Sequence, residues 1–305
     1  MTLVHVPCPV CEEAEFSLLH AATISDPREA PERYFSSSRE RAGYLSIVRC
    51  KGCGLVLQNP RDDAETLARV YASLADDVYD AEEANRARDA RQHLDRLEAH
   101  HPGRGHVLDL GCASGFFVAA AHGRGWRAQG ADASPRAIER ARQRCPSARF
   151  SVGTLESLEF PPHALDAVTL FDVLEHVDDP LGALTRVGRW LADSGLLALS
   201  LPNAESWTAR ALGPRWVLLL REHLWYFSPL TITQLLDHAG YDVLETRSKW
   251  VSFSLKSVAA RLGQYPGPLG RGARLLRGSR HLGHVSLRFP MGEMHVIARR
   301  RSTRA

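Results

Sequence analysis

Three stretches of this 305-residue chain have residue types and spacing that could do chemistry. Cys8-Pro9-Val10-Cys11 and Cys50-Lys51-Gly52-Cys53-Gly54 form two C-x-x-C pairs on separate turns. Four thiolates supplied this way suit tetrahedral zinc, and the glycines beside the second pair fit a tight knuckle whose N–H groups point at sulfur. Four cysteines leave no open position, so the expected metal is structural. Disulfides or stray thiols are the competing reading, and a reducing compartment argues against disulfides. Cys112 and Cys145 are isolated and read as buried fillers. The second stretch is Gly111-Cys112-Ala113-Ser114-Gly115, a glycine turn between an apolar run and Phe116-Phe117. Gly111 can take backbone angles that a side chain forbids, and Gly115 lets a helix start lie close to a strand or a ligand. Asp132 follows the first glycine by about twenty residues, the spacing at which an acid binds a ribose diol in nucleotide-binding folds. The third stretch is REHLWYFSP, Arg221 to Pro229, where Glu222 and His223 are adjacent and aromatics follow.

The elements around these residues predict an α/β fold. His106–Leu110 reads as a buried strand, Phe116 onward as a helix, and Arg127–Ala131 as a second strand ending at Asp132. Pro135 opens a helix over Arg136–Arg144. Further strands are expected at Phe150–Gly153, Ala167–Leu170, Leu196–Leu201 and Tyr241–Arg247, with helices at Leu181–Leu191 and Thr231–Ala239. The first of these two helices is expected to end in an Asp193-Ser194-Gly195 turn. Val285–Arg288 and His295–Ala298 read as a closing hairpin strand, and Arg299–Arg301 with the tail as disordered. Asp62–Ala99 looks helical: Leu67, Val70, Tyr71 and Leu74 recur at helical spacing, and Leu94 and Leu97 mark a second, heavily charged helix. Ligands of such sheets bind in the crevice beyond the strand ends, near the start of a helix with free N–H groups.

The order LDLGCASGFF, GADASPRAI, LDAVTLFDVLEHVDDP, LLALSLPN resembles the successive motifs of class I S-adenosylmethionine-dependent methyltransferases, over roughly Gly105 to Gly240. A dinucleotide oxidoreductase is the nearest competitor, but it prefers G-x-G-x-x-G where this chain has G-x-x-x-G. The resemblance implies a Rossmann-like seven-stranded sheet with an N-terminal four-cysteine zinc ribbon. It implies that Asp109 faces the methionine ammonium, that backbone at Gly111 and Ala113 passes beside the amino-acid part with Gly115 closing the turn, and that Asp132 binds both ribose hydroxyls. It places Thr154, Leu155 and Phe171 along adenine and sulfur. Thr154 departs from the family, which often has an acidic residue there. RCKGCGLVLQNPR is similar to the N-terminal zinc segment of a bacterial subgroup that includes sugar C-methyltransferases. Glu222-His223 resembles their base pair: a neutral imidazole takes a proton near neutral pH and a carboxylate orients it. A packed loop histidine capping the next helix is the other reading. Glu175 and His176 read as structural or, for His176, directly catalytic. Tyr79 matches a tyrosine that lies over the active site in that subgroup, or is a surface residue. The sugar enzymes carry a long further domain, and this chain ends before one, which weakens the transfer of their substrate but not of the cofactor.

The expected organisation is a zinc-ribbon segment (1–60), a helical cap and linker (61–104) and a methyltransferase domain (105–305) with a basic helical insertion (252–281). That insertion carries Leu275 and Leu276 among Arg271, Arg274, Arg277 and Arg280; it lies on an anionic membrane, binds a phosphorylated acceptor, or packs on the sheet with solvated arginines. The segment Ser25–Arg41 reads as a surface excursion. No run approaches the ~20 apolar residues of a membrane span, and the N-terminus lacks a signal pattern, so a cytoplasmic address is expected. The formal charge of +3 names no partner. Lysine is nearly absent (Lys51, Lys249, Lys256). The leading reading is methyl transfer to the oxygen or carbon of a small acceptor: a sugar, nucleotide-linked sugar or other pathway metabolite. The alternatives are an RNA methyltransferase reading RNA through the ribbon, which lacks the basic, aromatic-interleaved face such binding uses, and a silent binding protein.

Overall fold

From His106 onward, near-continuous apolar runs alternate with amphipathic helices, the pattern of a sheet covered on both faces. The computed structural model describes residues 2–26, 34, 43–73, 83–255 and 286–302. Its strands are β1 Leu3–Val4, β2 Phe16–His20, β3 Ile47–Cys50, β4 Val56–Gln58, β5 Arg61–Asp62, β6 His106–Leu110, β7 Arg127–Asp132, β8 Arg149–Val152, β9 Leu165–Phe171, β10 Leu191–Pro202, β11 Trp225–Tyr226, β12 Tyr241–Ser254 and β13 Ser286–Arg300. Its helices are α1 Ala64–Ser73, α2 Glu83–His100, α3 Phe116–Gly123, α4 Pro135–Arg144, α5 Pro180–Trp190, α6 Trp207–Leu212 and α7 Pro229–His238. Seven strands form one mixed sheet in the order β12-β13-β10-β9-β6-β7-β8, in which β13 runs antiparallel to both neighbours. The chain moves outward from β6 to β7 and β8, then returns to β9 on the other side of β6. A crevice opens at such a switch point, at the C-terminal ends of β6 and β9.

The N-terminal segment is welded to this sheet. A second sheet runs β11-β4-β3-β2, so its edge strand comes from the REHLWYFSP stretch, with Trp225 opposite Leu57 and Tyr226 opposite Val56. One apolar core continues from Cys8, Val10, Val48 and Leu57 into Leu108, Leu170, Leu199, Leu235 and Leu236. The opposite face of the large sheet is covered by α2 and α3, through Leu94, Leu97, Phe117 and Val118.

Several expectations change. Asp62 does not open a helix; it lies in β5, where its carboxylate pairs with Arg221. Asp193-Ser194-Gly195 does not end the preceding element; it is absorbed into β10 as a bulge, with the register slipping between Leu191 and Leu196 and Ser194 at φ 64°. His295–Ala298 and the residues from Ser286 form one strand, because the long β12 pairs with both parts of it while β10 pairs with Glu293–Arg299 on the other edge. Arg299–Arg301 is ordered: Arg300 ends β13, Arg301 N–H donates to the Gly240 carbonyl at 2.9 Å, and its guanidinium binds Asp237 and Asp242. Ser252–Ser254, expected to begin the basic insertion, belong to β12. The rest of that expected insertion from residue 256 lies outside the described residues, as do Leu74, Tyr79, Val285 and most of Ser25–Arg41. No described helix is long and apolar enough to cross a membrane.

Candidate active site

The glycine turn follows β6 directly. Gly111 has φ 68°, and a Cβ there would stand 2.4 Å from Val173, so only glycine serves. Gly115 precedes α3 at φ 80°, where a Cβ would meet Ala141 at 2.9 Å; it lets α3 close against α4. Between them Ala113 holds φ 44°, a costly angle for a residue with a side chain. It is held by the Ala113 N–H, which donates to Asp132 Oδ2 at 2.9 Å, while Ser134 N–H donates to Oδ1 at 2.8 Å. The carboxylate at the end of β7 is thereby locked in one orientation, and each oxygen keeps acceptor capacity. Val152, its register neighbour on β8, leaves an apolar side chain 48% exposed. Thr154 is exposed, with its N–H on Ser157 Oγ at 2.9 Å, and Leu155 is buried beside it. Asp109 is buried within β6 and accepts from the Thr169 hydroxyl at 2.6 Å. Burial pushes its carboxyl up to about 7, against the pull of that hydroxyl. Phe171 at the end of β9 stacks on His93 of α2, with ring centroids 3.9 Å apart.

The other side of the crevice is assembled from distant segments. Glu175 and His176 follow β9, His223 precedes β11, and Tyr71 comes from α1. Backbone bonds tie the two loops: Leu224 N–H donates to the Glu175 carbonyl at 2.8 Å, and the Trp225 indole to the Val177 carbonyl at 2.7 Å. His176 Nδ1 lies 2.6 Å from the Tyr71 hydroxyl and 2.9 Å from the Glu222 carbonyl. His223 Nδ1 lies 2.9 Å from the Leu218 carbonyl. A carbonyl only accepts, so His223 carries its proton on Nδ1 and holds the lone pair on Nε2; at His176 the nearer Tyr71 hydroxyl can either donate to Nδ1 or accept from it. Burial pulls His176 down to about 4 and His223 down to about 3, so both are neutral. Glu175 is 1% exposed, one carboxylate oxygen has no hydrogen-bond partner among the described residues, and burial pushes its carboxyl well up. The sequence paired His223 with Glu222. In the structure the Leu218 carbonyl holds Nδ1 of that ring, and Glu222 is buried next to it in the chain.

Next to this group is a charged cluster that the sequence reading missed. Lys249 Nζ donates to both oxygens of Asp172 at 2.8 and 2.7 Å and to Ser200 Oγ at 3.2 Å, with Glu293 at 3.4 Å. Burial pulls the ammonium down, but the surrounding carboxylates outweigh it and keep it charged. Asp172 sits at φ 58°. The only signal in the sequence was the rarity of lysine. Tyr71 was hidden in an apolar helix stripe.

Cys8, Cys11, Cys50 and Cys53 do come together. Their sulfurs lie within 4.8 Å of one another, with Cys8–Cys53 and Cys11–Cys50 at 3.5 Å. Tetrahedral zinc at ~2.3 Å from each sulfur needs separations of about 3.8 Å. All four are free thiols. Cys112 and Cys145 are buried fillers as expected.

A family model described as Methyltransferase domain matches residues 82–246, just over half of the chain. The chain belongs to this methyltransferase family. Among curated relatives, a ubiquinone biosynthesis O-methyltransferase of Cereibacter sphaeroides is 30% identical over 152 residues, 46% of this methyltransferase and 62% of the relative. A malonyl-[acyl-carrier protein] O-methyltransferase of Serratia marcescens is 31% identical over 206 residues, covering 64% and 79%. This methyltransferase thus spans less than two thirds of the length of the first relative. Of solved structures, the magnesium protoporphyrin IX methyltransferase of Synechocystis PCC 6803, with bound S-adenosylhomocysteine, aligns at TM-score 0.51 and 16% identity over 78% of this chain and 100% of its own. A chain from the complex of the Haloferax volcanii Trm112 methyltransferase activator with a methyltransferase aligns at 0.51 and 20% over 74% and 98%. At these identities the agreement is one of fold: a Rossmann-like α/β sheet of seven strands.

Proposed function

We propose that this methyltransferase moves a methyl group from S-adenosylmethionine to an oxygen or carbon of a small-molecule acceptor, such as a sugar, a nucleotide-linked sugar or another pathway metabolite. The observation that carries the cofactor is Asp132. Two backbone N–H groups fix its carboxylate at the mouth of a glycine turn, which is what a ribose diol requires of its acceptor. Gly111 and Ala113 line the amino-acid part, Asp109 meets the ammonium, and Val152, Thr154 and Leu155 border the base, with Phe171 toward the sulfur. When bound, the cofactor supplies a methyl group on a good leaving group. The protein then contributes positioning and exclusion of water.

On the acceptor side we assign proton removal to His223. Its ring is neutral, and the Leu218 carbonyl fixes the tautomer so that Nε2 is the basic atom. Glu222, next to it in the chain, is buried as well. The O-methyltransferase names of both relatives favour an oxygen acceptor. The four cysteines hold a structural zinc, which fixes the turn leading into β4 and through it the loop that ends in β11.

Calorimetric titration of S-adenosylhomocysteine into the wild type and Asp132→Ala tests the cofactor. The expected result is micromolar binding that weakens about 100-fold or more in the variant, since two charge-assisted bonds are lost. A folded wild type that does not bind would refute the reading.

A further inference from the structure

We propose that Glu175, His176 and His223 form a binding site for one first-row divalent transition-metal ion on the acceptor side of the crevice. One ligand atom from each lies within 4.8 Å of the others, the same limit met by the four cysteines. Ligands ~2.0–2.2 Å from a shared ion stand roughly 3–3.5 Å apart, and a separation of no more than 4.8 Å puts the group within reach of one ion by small side-chain shifts.

Three observations point to a cation rather than to ordinary packing. Each imidazole has its Nδ1 held by hydrogen bonding, His223 to the Leu218 carbonyl and His176 to the Tyr71 hydroxyl and Glu222 carbonyl, which is the outer-shell arrangement that orients metal-bound histidines. His223 therefore offers Nε2, already deprotonated, and His176 offers it in the tautomer whose Nδ1 proton goes to the Glu222 carbonyl. Glu175 is 1% exposed and one of its carboxylate oxygens has no hydrogen-bond partner among the described residues. A buried acceptor left this way is costly, and a cation or a proton must relieve it. Finally, the bond from Leu224 N–H to the Glu175 carbonyl clamps the two loops together, so the ligands are held before any ion arrives. Two imidazoles and one carboxylate suit zinc, manganese, iron(II) or cobalt better than magnesium, which prefers oxygen ligands. Three protein ligands leave positions open for water or acceptor oxygens, unlike the closed set of four cysteines.

The inference rests on the acceptor-side reading and alters one part of it. With the ion in place His223 Nε2 is a ligand. An acceptor hydroxyl bound to the ion then ionises by losing its proton to solvent water, and its oxygen attacks the methyl carbon as the carbon–sulfur bond breaks.

Cobalt(II) titration of protein carrying one zinc per chain tests this, read by calorimetry and visible absorption. The expected result is one further equivalent of Co²⁺ with the weak d–d bands of nitrogen and oxygen ligands, and none of the intense charge transfer that thiolates give. Glu175→Gln and His176→Ala should each weaken it at least tenfold while S-adenosylhomocysteine still binds, which shows that they are folded. Tyr71→Phe, which loosens His176, should weaken it several-fold. No second equivalent in folded protein, or one that survives Glu175→Gln, overturns the metal site. If S-adenosylhomocysteine binding and methyl transfer persist in that case, the methyltransferase reading stands and Glu175 carries a proton instead. Absence of S-adenosylhomocysteine binding counts against the parent reading alone.

Discussion

The two sides of the crevice are built by different means. The cofactor side is local: β6, the glycine turn, α3 and β7 follow one another from His106 to Asp132, and the critical contacts are backbone N–H groups on one carboxylate. The acceptor side draws Tyr71, Glu175, His176 and His223 from three separate stretches, and the loop of His223 is held by side chains of the N-terminal segment. Gln58 is fully buried, and its amide donates to the carbonyls of Arg221 and His223 at 2.9 and 3.1 Å while its oxygen accepts from Leu45 N–H at 2.6 Å. The Arg221–Asp62 pair, bidentate at 2.8 Å and buried, fastens the same loop. A site made from adjacent residues on one strand and turn survives changes elsewhere. One made from remote pieces depends on whatever holds the pieces.

The largest separation of the two sides should come from His223→Ala. Loss of Nε2, whether it serves as base or as ligand, is expected to lower turnover about 1000-fold, with S-adenosylhomocysteine affinity unchanged, because the described contacts of the His223 ring are to Leu218, His176 and Tyr226 rather than to the glycine turn or Asp132. Steady-state rates beside calorimetry read both quantities. Turnover within threefold of wild type would remove His223 from the chemistry, and a parallel fall in affinity would show that the two sides are not independent.

Gln58→Leu sharpens the point without touching a reacting group. It removes the two hydrogen bonds to the His223 loop and the one that ties Gln58 to Leu45, and a displacement of about 1 Å in the loop is expected to lower kcat/KM roughly 10- to 100-fold. Cofactor affinity should stay within twofold. If both fall together, the N-terminal segment supports the whole sheet rather than the acceptor loop in particular.

This difference also decided what could be read from the sequence. The turn at Gly111, the acid at Asp132 and the paired cysteines are short-range patterns, and the structure brings each set together as its spacing requires. The strand series was legible for the same reason, because sheets buried on both faces leave continuous apolar runs. The cluster of Lys249, Asp172, Ser200 and Glu293 leaves no such trace, since its members join only when β9, β10, β12 and β13 lie side by side. Gln58 and Asp62 fall in a stretch that reads as the end of a zinc ribbon and the start of a helix. Their role exists only because β11 returns to pair with β4. The ends of β10 and β13 were missed for a related reason: edge pairing with a distant strand extends a strand beyond its local propensity.

The smallest expected effect tests whether the cofactor side is as self-contained as its contacts suggest. Asp109 is buried and its carboxyl is pushed up to about 7, so in the free protein it is substantially protonated at neutral pH. Pairing with the cofactor ammonium requires the ionised form. Below pH 7 binding must therefore expel a proton, and affinity should fall as pH drops through that value and level off above it. The linkage gives about a tenfold weaker Kd for S-adenosylhomocysteine at pH 6 than at pH 8. Asp109→Asn should bind more weakly at pH 8 and show a flat profile. His223→Ala should keep the wild-type slope, because its ring, pulled down to about 3, does not titrate in this range. A slope that vanished with His223 instead would join the two sides electrostatically and undo the contrast between them.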